Sequence, residues 1–120
     1  MPFEITISKD FSAAHQLRLY DGSLEPLHGH NWAVKVTVKS QNLDAIGVVM
    51  DFHRLEALVD EIIRPLHNGH LNQTEAFRQL NPSAEHVALH IGRSLRLPQG
   101  VALEKVEIWE TPGNSAVYRP

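Results

Sequence analysis

Apolar and polar residues alternate in two segments near the start of the chain. Phe3, Ile5 and Ile7 are separated by single polar residues, and the same alternation returns over residues 32–38. A period of two is typical of a strand that buries one face. Residues 16–29 contain glycine and proline between polar positions and predict a loop that joins the two strands.

After residue 50 the pattern changes to the spacing of an amphipathic helix. Asp51 is a predicted N-cap, and it precedes apolar residues that recur every three or four positions: Phe52, Leu55, Leu58, Val59, Ile62, Ile63 and Leu66. Residues 67–82 predict another loop. A second helix is predicted from about Asn81-Pro82-Ser83 to Leu95, with one buried face: Val87, Ala88, Ile91 and Leu95.

Strand periodicity resumes at residues 103–110, and Pro112-Gly113 predicts a turn into a short final strand at 116–119. The predicted order is strand, strand, helix, helix, strand, strand, within a single domain over residues 1–120. Runs of strands and helices favour an α+β fold, in which an antiparallel sheet carries two helices on one face. A four-stranded sheet has two open edges, which predicts association with other chains.

Composition narrows the possible functions. The 120 residues carry a formal net charge of −3 and no cluster of Lys or Arg, so a nucleic-acid partner is not expected. The absence of cysteine excludes disulfides, thiolate zinc sites and a cysteine nucleophile. The first ten residues do not resemble a signal peptide, and no apolar run is long enough to span a membrane. We therefore expect a cytoplasmic protein.

Three of the eight histidines form the strongest candidate site. His28 and His30 lie two residues apart at the start of the second strand, so their side chains point to one face. His15 has the same parity as the apolar residues of the first strand. Three imidazoles with an open position are the ligand set of catalytic zinc, although such a site also suits copper, nickel or iron. The alternative is that they are ordinary histidines of a histidine-rich chain.

A carboxylate on an apolar strand face is the second candidate. Glu110 shares the parity of Val106 and Ile108, and a carboxylate on a buried face needs either a partner or a ligand. A structural salt bridge is the alternative explanation. His67 and His70 fall in the predicted loop, and the pattern does not assign them a role.

Several motifs together resemble a known family, the 6-pyruvoyl-tetrahydropterin synthases, which include the 6-carboxy-tetrahydropterin synthases of queuosine biosynthesis. The motifs occur in order over nearly the whole chain: Phe11-Ser12-Ala13-Ala14-His15, Leu27-His28-Gly29-His30-Asn31, Gly47-Val48-Val49-Met50-Asp51-Phe52, Leu71-Asn72, Asn81-Pro82-Ser83-Ala84-Glu85, Glu110-Thr111 and Tyr118-Arg119. The combination of F-S-A-A-H with H-G-H at this spacing is the most specific of these features.

The resemblance implies a tunnelling T-fold, in which β-β-α-α-β-β subunits trimerise into a barrel and two trimers stack as a hexamer. It implies zinc held by His15, His28 and His30, and a small-molecule pterin substrate. It also implies that Glu110 anchors the pterin ring, since a carboxylate accepts two parallel N–H bonds from the pterin edge. Ser83 lies where family members carry hydroxyl residues that contact the pterin.

The chain departs from the family at its acid and base positions. The family's cysteine is replaced by Leu24, and its Asp–His pair by His67 and Asn68. Glu25 remains, and a glutamate near this place is typical of a folate-branch group resembling aldolases, which make 6-hydroxymethyl-dihydropterin from 7,8-dihydroneopterin triphosphate. The resemblance thus suggests Glu25 as the catalytic base, with His67 or His70 as an acid. Synthase-type lyase chemistry, or a catalytically weak zinc- and pterin-binding protein, are the alternatives.

Overall fold

The structure is a computed structural model that describes all 120 residues. It contains five strands, two α-helices and two short 3-10 turns. The strands are β1 (Phe3–His15), β2 (His28–Ser40), β3 (Gly69–His70), β4 (Val101–Thr111) and β5 (Asn114–Tyr118), and the helices are α1 (Phe52–Ile63) and α2 (Ala84–Ser94). The 3-10 turns cover Leu71–Gln73 and Glu75–Phe77. The predicted α+β order is confirmed, with β3 as an addition.

All five strands form one sheet in the order β3-β1-β2-β4-β5. The neighbours β1 and β2, β2 and β4, and β4 and β5 are antiparallel, whereas β3 runs parallel to β1. The prediction of four strands was therefore incomplete, because two residues of the predicted loop 67–82 pair with Ala13 and Ala14. So short a strand leaves no periodicity in the sequence.

The first strand is longer than its apolar alternation indicates, since it continues to His15. Lys9 lies at a position of the buried parity, and this charge interrupts the pattern. Helix α1 supplies its partners: the Lys9 ammonium is 3.2 Å from Asp60 and 3.9 Å from Glu56. The strand therefore runs unbroken under the helix, and its end carries His15 to the sheet edge where β2 begins.

Both helices begin at side-chain caps. Asp51 accepts a hydrogen bond from the His53 N–H, as predicted, and Ser83 accepts one from His86 N–H. Such caps satisfy backbone donors that the first turn leaves free. Phe52 is 53% exposed, because as the first residue of α1 it precedes the face that packs on the sheet.

One apolar core lies between the sheet and the two helices. Its fully buried members include residues from two strands and both helices: Trp32, Val34, Val36, Val38, Leu55, Val59, Val87, Ala88, Ile91, Val106 and Ile108. The predicted buried residues of α2 are confirmed. Neither helix has the length and apolar character that crossing a membrane requires.

A histidine and glutamate cluster as candidate metal centre

The pairing of β1 with β2 brings the three histidines together. His15 is the register partner of His28, and Ala13 is the partner of His30. Because register partners in a sheet point to the same face, all three rings lie on the side that faces the helices. Their ring centroids are 4.6–5.2 Å apart. The convergence expected from strand parity is therefore present.

Glu110 reaches the same place from β4. Its Oε1 lies 2.7 Å from Nε2 of His15 and 3.2 Å from Nε2 of His30. One ligand atom from each of His15, His28, His30 and Glu110 lies within 4.8 Å of the others. We call these four residues the histidine–glutamate cluster. The carboxylate on the apolar face thus has partners, and both belong to the candidate metal site.

Two backbone carbonyls set the orientation of two rings. Nδ1 of His15 lies 2.7 Å from the carbonyl of Pro82, and Nδ1 of His28 lies 2.8 Å from the carbonyl of Pro26. A carbonyl only accepts, so both Nδ1 atoms carry the proton, and each neutral ring presents a lone pair at Nε2. Such a second contact fixes the tautomer that a metal needs. Nothing in the sequence identifies these carbonyls as functional.

The Nε2 atoms face one another at the centre of the cluster. Those of His15 and His28 are 3.1 Å apart. Two lone pairs at that distance repel unless a proton or a cation lies between them. His30 Nε2 is buried and makes no hydrogen bond despite its proximity to Glu110. A nitrogen-rich donor set with one unsatisfied nitrogen fits a zinc ion.

The surroundings of His30 favour a neutral imidazole at this position. Burial lowers the pKa of His30 below its ordinary value of 6.5, the negative charge of Glu110 opposes this shift, and His15 and His28 add to it. The indole of Trp32 packs edge-on against His15 and His30, with centroids 4.9 and 5.6 Å away. His15 itself is only 1% exposed. Since metals bind the neutral ring, this apolar wall supports ligation.

Glu25 lies beside the cluster on the loop between β1 and β2. Its Oε1 is 3.9 Å from Nε2 of His28 and accepts a hydrogen bond from the Leu17 N–H at 2.9 Å. The neighbouring Leu24 is 52% exposed. A carboxylate held at the edge of a metal site is placed to take a proton from a bound ligand.

The remaining candidates lie outside the cluster. Ser83 caps α2, and the preceding residue, Pro82, supplies the carbonyl that holds His15. His67 Nδ1 accepts the Ser12 N–H at 3.1 Å, on the edge of β1. His70 pairs with Ala14, which points away from the face of His15. Within one chain, therefore, His67 and His70 do not join the cluster.

A groove of about 400 Å³ includes His30 in its lining. Its walls are small or polar: Ser12, Ala13, Ala14, Gly29, His30, Asn31, Asn68 and Gly69. Gly29 and the alanines leave room that larger side chains would fill. Because Ser12, Ala14, Gly29 and Asn31 alternate with the cluster residues along β1 and β2, this open, polar groove lies on the opposite face of the sheet.

Comparison with known proteins agrees with this geometry. The family model of 6-pyruvoyl tetrahydropterin synthase matches residues 4–120. The chain is 33% identical over 112 residues to dihydroneopterin monophosphate aldolase of Pyrococcus furiosus, which covers 92% of this chain and 91% of that protein. It is 34% identical over 118 residues to 6-carboxy-5,6,7,8-tetrahydropterin synthase of a Synechocystis species, covering 93% and 91%.

A solved structure shows the same fold. The 6-pyruvoyl tetrahydropterin synthase of Caenorhabditis elegans superposes with a TM-score of 0.86 at 25% identity, over 98% of this chain and 95% of that one. The α+β T-fold expected from the sequence is thereby confirmed for the subunit. On the family match and on these relatives, the chain belongs to the 6-pyruvoyl tetrahydropterin synthase family, whose members are enzymes that act on pterins.

Proposed function

We propose that this chain holds one zinc ion through His15, His28 and His30 and cleaves the side chain of a 7,8-dihydroneopterin phosphate by a retro-aldol reaction. The observation that carries the proposal is the position of Glu25, whose carboxylate lies 3.9 Å from a candidate ligand in a chain without cysteine. The similarity to an aldolase that acts on dihydroneopterin monophosphate supports the same chemistry.

The reaction needs a base and an electron sink. A bound zinc ion would supply Lewis acidity at the substrate's side-chain oxygens and lower the pKa of a hydroxyl. Glu25 takes the proton from the hydroxyl on the second side-chain carbon. The bond between the first and second side-chain carbons then breaks, and its electron pair moves into the C6=N5 imine of the dihydropterin ring.

The products follow from that electron flow. The second carbon becomes the aldehyde of a phosphorylated two-carbon fragment, and a proton returned to the first carbon leaves 6-hydroxymethyl-dihydropterin. Glu25 holds the proton removed earlier and is one source of it. We keep His67 and His70 as acid candidates only for an assembled oligomer, where a neighbouring subunit would have to present them. A single chain does not bring either ring to the cluster.

We assign the pterin edge to Glu110 and Ser83. Glu110 is 29% exposed at its side chain, so its second oxygen remains accessible for N–H donors of the ligand. Glu110 and a metal would compete for Nε2 of His15. We therefore expect zinc binding to release Glu110 from His15. Ser83 Oγ uses one lone pair as a cap and keeps its O–H for donation.

We propose that the subunits assemble into a trimeric barrel, and two barrels into a hexamer. The support is the open edge of β1, where only Ala13 and Ala14 pair with β3, together with the short edge strand β5. Unpaired edges of this length favour pairing with another chain. Light scattering at micromolar concentration tests the assembly, and a stable monomer would contradict it.

Product analysis by mass tests the activity. The zinc-loaded protein is incubated separately with 7,8-dihydroneopterin triphosphate and the monophosphate, and we expect 6-hydroxymethyl-dihydropterin from at least one of them. The pattern of turnover identifies the phosphate ester that is preferred. Formation of 6-pyruvoyl- or 6-carboxy-tetrahydropterin would instead indicate synthase chemistry, as in the Synechocystis relative by its name. Tight pterin binding without any product would favour a binding protein.

A further inference from the structure

The chain between His15 and Glu25 leaves the regular sheet, yet its backbone stays paired. Beyond Ala14 the strand β3 ends, because the chain turns into the 3-10 segment Leu71–Gln73. Residues 16–18 therefore have no backbone neighbour on that side. The hydrogen bonds that a strand would provide come from side chains instead.

Two asparagines replace the missing strand. Asn72 Oδ1 accepts the Gln16 N–H at 3.0 Å, and Asn72 Nδ2 donates to the Gln16 carbonyl at 2.7 Å. Two residues further along, Asn81 Oδ1 accepts the Arg18 N–H at 2.8 Å and Asn81 Nδ2 donates to the Arg18 carbonyl at 3.2 Å. Each carboxamide thus makes the donor–acceptor pair that one residue of a strand would make.

Glu25 pairs with the opposite edge of the same segment. The Glu25 N–H donates to the Leu17 carbonyl at 3.1 Å, while Glu25 Oε1 accepts the Leu17 N–H at 2.9 Å. The carboxylate takes the place that a backbone carbonyl would have in a regular ladder. Alternation along an extended chain sends Gln16 and Arg18 to the asparagines and Leu17 to the glutamate.

The arginine of this segment adds a further attachment. The Arg18 guanidinium donates to the carbonyls of Phe77, Arg78 and Leu80 at 3.0–3.3 Å. These contacts fasten the segment to the chain just before Asn81. The next residue, Pro82, accepts a hydrogen bond from His15 Nδ1 through its carbonyl. One stretch of backbone therefore holds both a candidate metal ligand and the segment that holds Glu25.

We infer that Asn72 and Asn81 are positioning residues that act through the Leu17 N–H to hold the Glu25 carboxylate beside the cluster. This inference rests on the proposed role of Glu25 as base. Neither asparagine touches the cluster, and both are half-buried, with the side-chain hydrogen bonds of Asn72 made to residue 16 and those of Asn81 to residue 18. An alanine at either position leaves the backbone of that segment free to shift, and Glu25 shifts with it.

A double-mutant cycle tests the inference. Asn72→Ala is measured alone and combined with Glu25→Ala, and Asn81→Ala is treated in the same way. Displacing a reacting group by about 1 Å can lower the rate by about 10²-fold. We therefore expect kcat to fall about 10–10²-fold, with KM and zinc content unchanged. In the Glu25→Ala background the asparagine substitutions should have little further effect. Asn72→Asp, which keeps the acceptor for Gln16 N–H, should recover part of kcat.

A second readout does not depend on turnover. Hydrogen exchange at the Leu17 amide should accelerate in Asn72→Ala and Asn81→Ala, because the segment loses its protection. Asn42→Ala is the matched control, since Asn42 is exposed and its side chain makes no hydrogen bond; it should change neither kcat nor exchange. If Asn72→Ala fails to fold, Asn72→Asp carries the same comparison.

The outcomes separate this inference from the proposed function. An unchanged kcat in Asn72→Ala, or an equal loss with and without Glu25, would overturn the positioning role alone. Wild-type turnover in Glu25→Ala, or no product from wild type, would overturn the proposed function, and the inference with it. Loss of kcat only where Glu25 is present, together with faster exchange at Leu17, supports both.

Discussion

The face of the sheet that packs on the helices is apolar at its middle and polar at one end, and the two regions are stabilised by different interactions. Towards the middle of the sheet, Val36, Val106 and Ile108 are fully buried and are held by packing alone. At the end of these strands the same parity carries His30 and Glu110, which are partly exposed and contact each other. The apolar end supplies most of the stabilising burial. The polar end contributes groups that repel one another or need a partner.

The difference indicates how stability and chemistry are divided. Trp32 marks the boundary, since it is fully buried and packs on both the core residue Phe11 and the rings of His15 and His30. The cluster is positioned by strands whose pairing is fixed elsewhere. Substitutions at the polar end should therefore change function more than stability, and those at the apolar end should do the opposite.

The largest effect expected at the polar end is on turnover. Glu25→Ala should lower turnover about 10²–10⁴-fold, the usual contribution of a general base, while zinc content and pterin affinity persist. Measuring kcat, zinc content and pterin affinity in the same preparation tests this prediction. Leu24→Cys should not rescue the variant, since the family's Asp–His pair is also replaced. Wild-type turnover in Glu25→Ala would show that another group is the base.

The matching effect at the apolar end is on stability. Ile108→Ala removes a fully buried side chain and should lower the free energy of unfolding by about 2–5 kcal/mol. Urea denaturation of the metal-free protein measures it. The fraction that remains folded should still bind one zinc per chain. Loss of zinc from well-folded Ile108→Ala would show that the two ends are not separable in this way.

Glu110, two residues further along the same strand, provides the direct contrast. Glu110→Gln should weaken pterin binding by about 1.5–3 kcal/mol, because a neutral amide replaces a charged acceptor. Titration calorimetry with the pterin product measures it, and zinc content should not change. Unchanged pterin affinity would return Glu110 to a salt bridge with His15. Loss of zinc would make it a fourth ligand.

The smallest effect concerns pH and uses a histidine of the packed region. His90 lies on α2 and packs against Phe77, and burial lowers its pKa. The unfolded chain therefore binds this proton first as pH falls below about 6.5, so the free energy of unfolding decreases. His90→Gln should make the metal-free protein lose less stability between about pH 7 and 5. An identical loss in wild type and variant would contradict the shift.

The sequence predicts the element order and the convergence of the histidines because both depend on local periodicity. It does not predict that β1 continues past Lys9, because the charge at that position is compensated by Asp60 and Glu56, which are distant in the sequence and lie on helix α1. Strand β3 is missed for a similar reason, because two residues acquire strand character only by pairing with β1.

The candidate site also contains residues that periodicity predicts and residues that it does not predict. Parity places three histidines and Glu110 on the buried face, and the pairing of β2 with β4 brings them into contact. The contributions of Pro82, Asn72 and Asn81 arise between segments more than 50 residues apart in the chain. Backbone carbonyls and side-chain amides that replace a strand have no periodic signature, so only the folded chain reveals them.

Zinc content tests the central claim most directly. Wild type and the triple variant of His15→Ala, His28→Ala and His30→Ala are refolded with zinc, freed of excess metal and analysed by mass spectrometry for metal per chain. Near-ultraviolet circular dichroism confirms that both are folded. We expect one zinc per wild-type chain, at ring nitrogen distances of about 2.0–2.1 Å in a zinc-bound structure, and none in the variant. Full zinc occupancy in a folded triple variant would contradict the account.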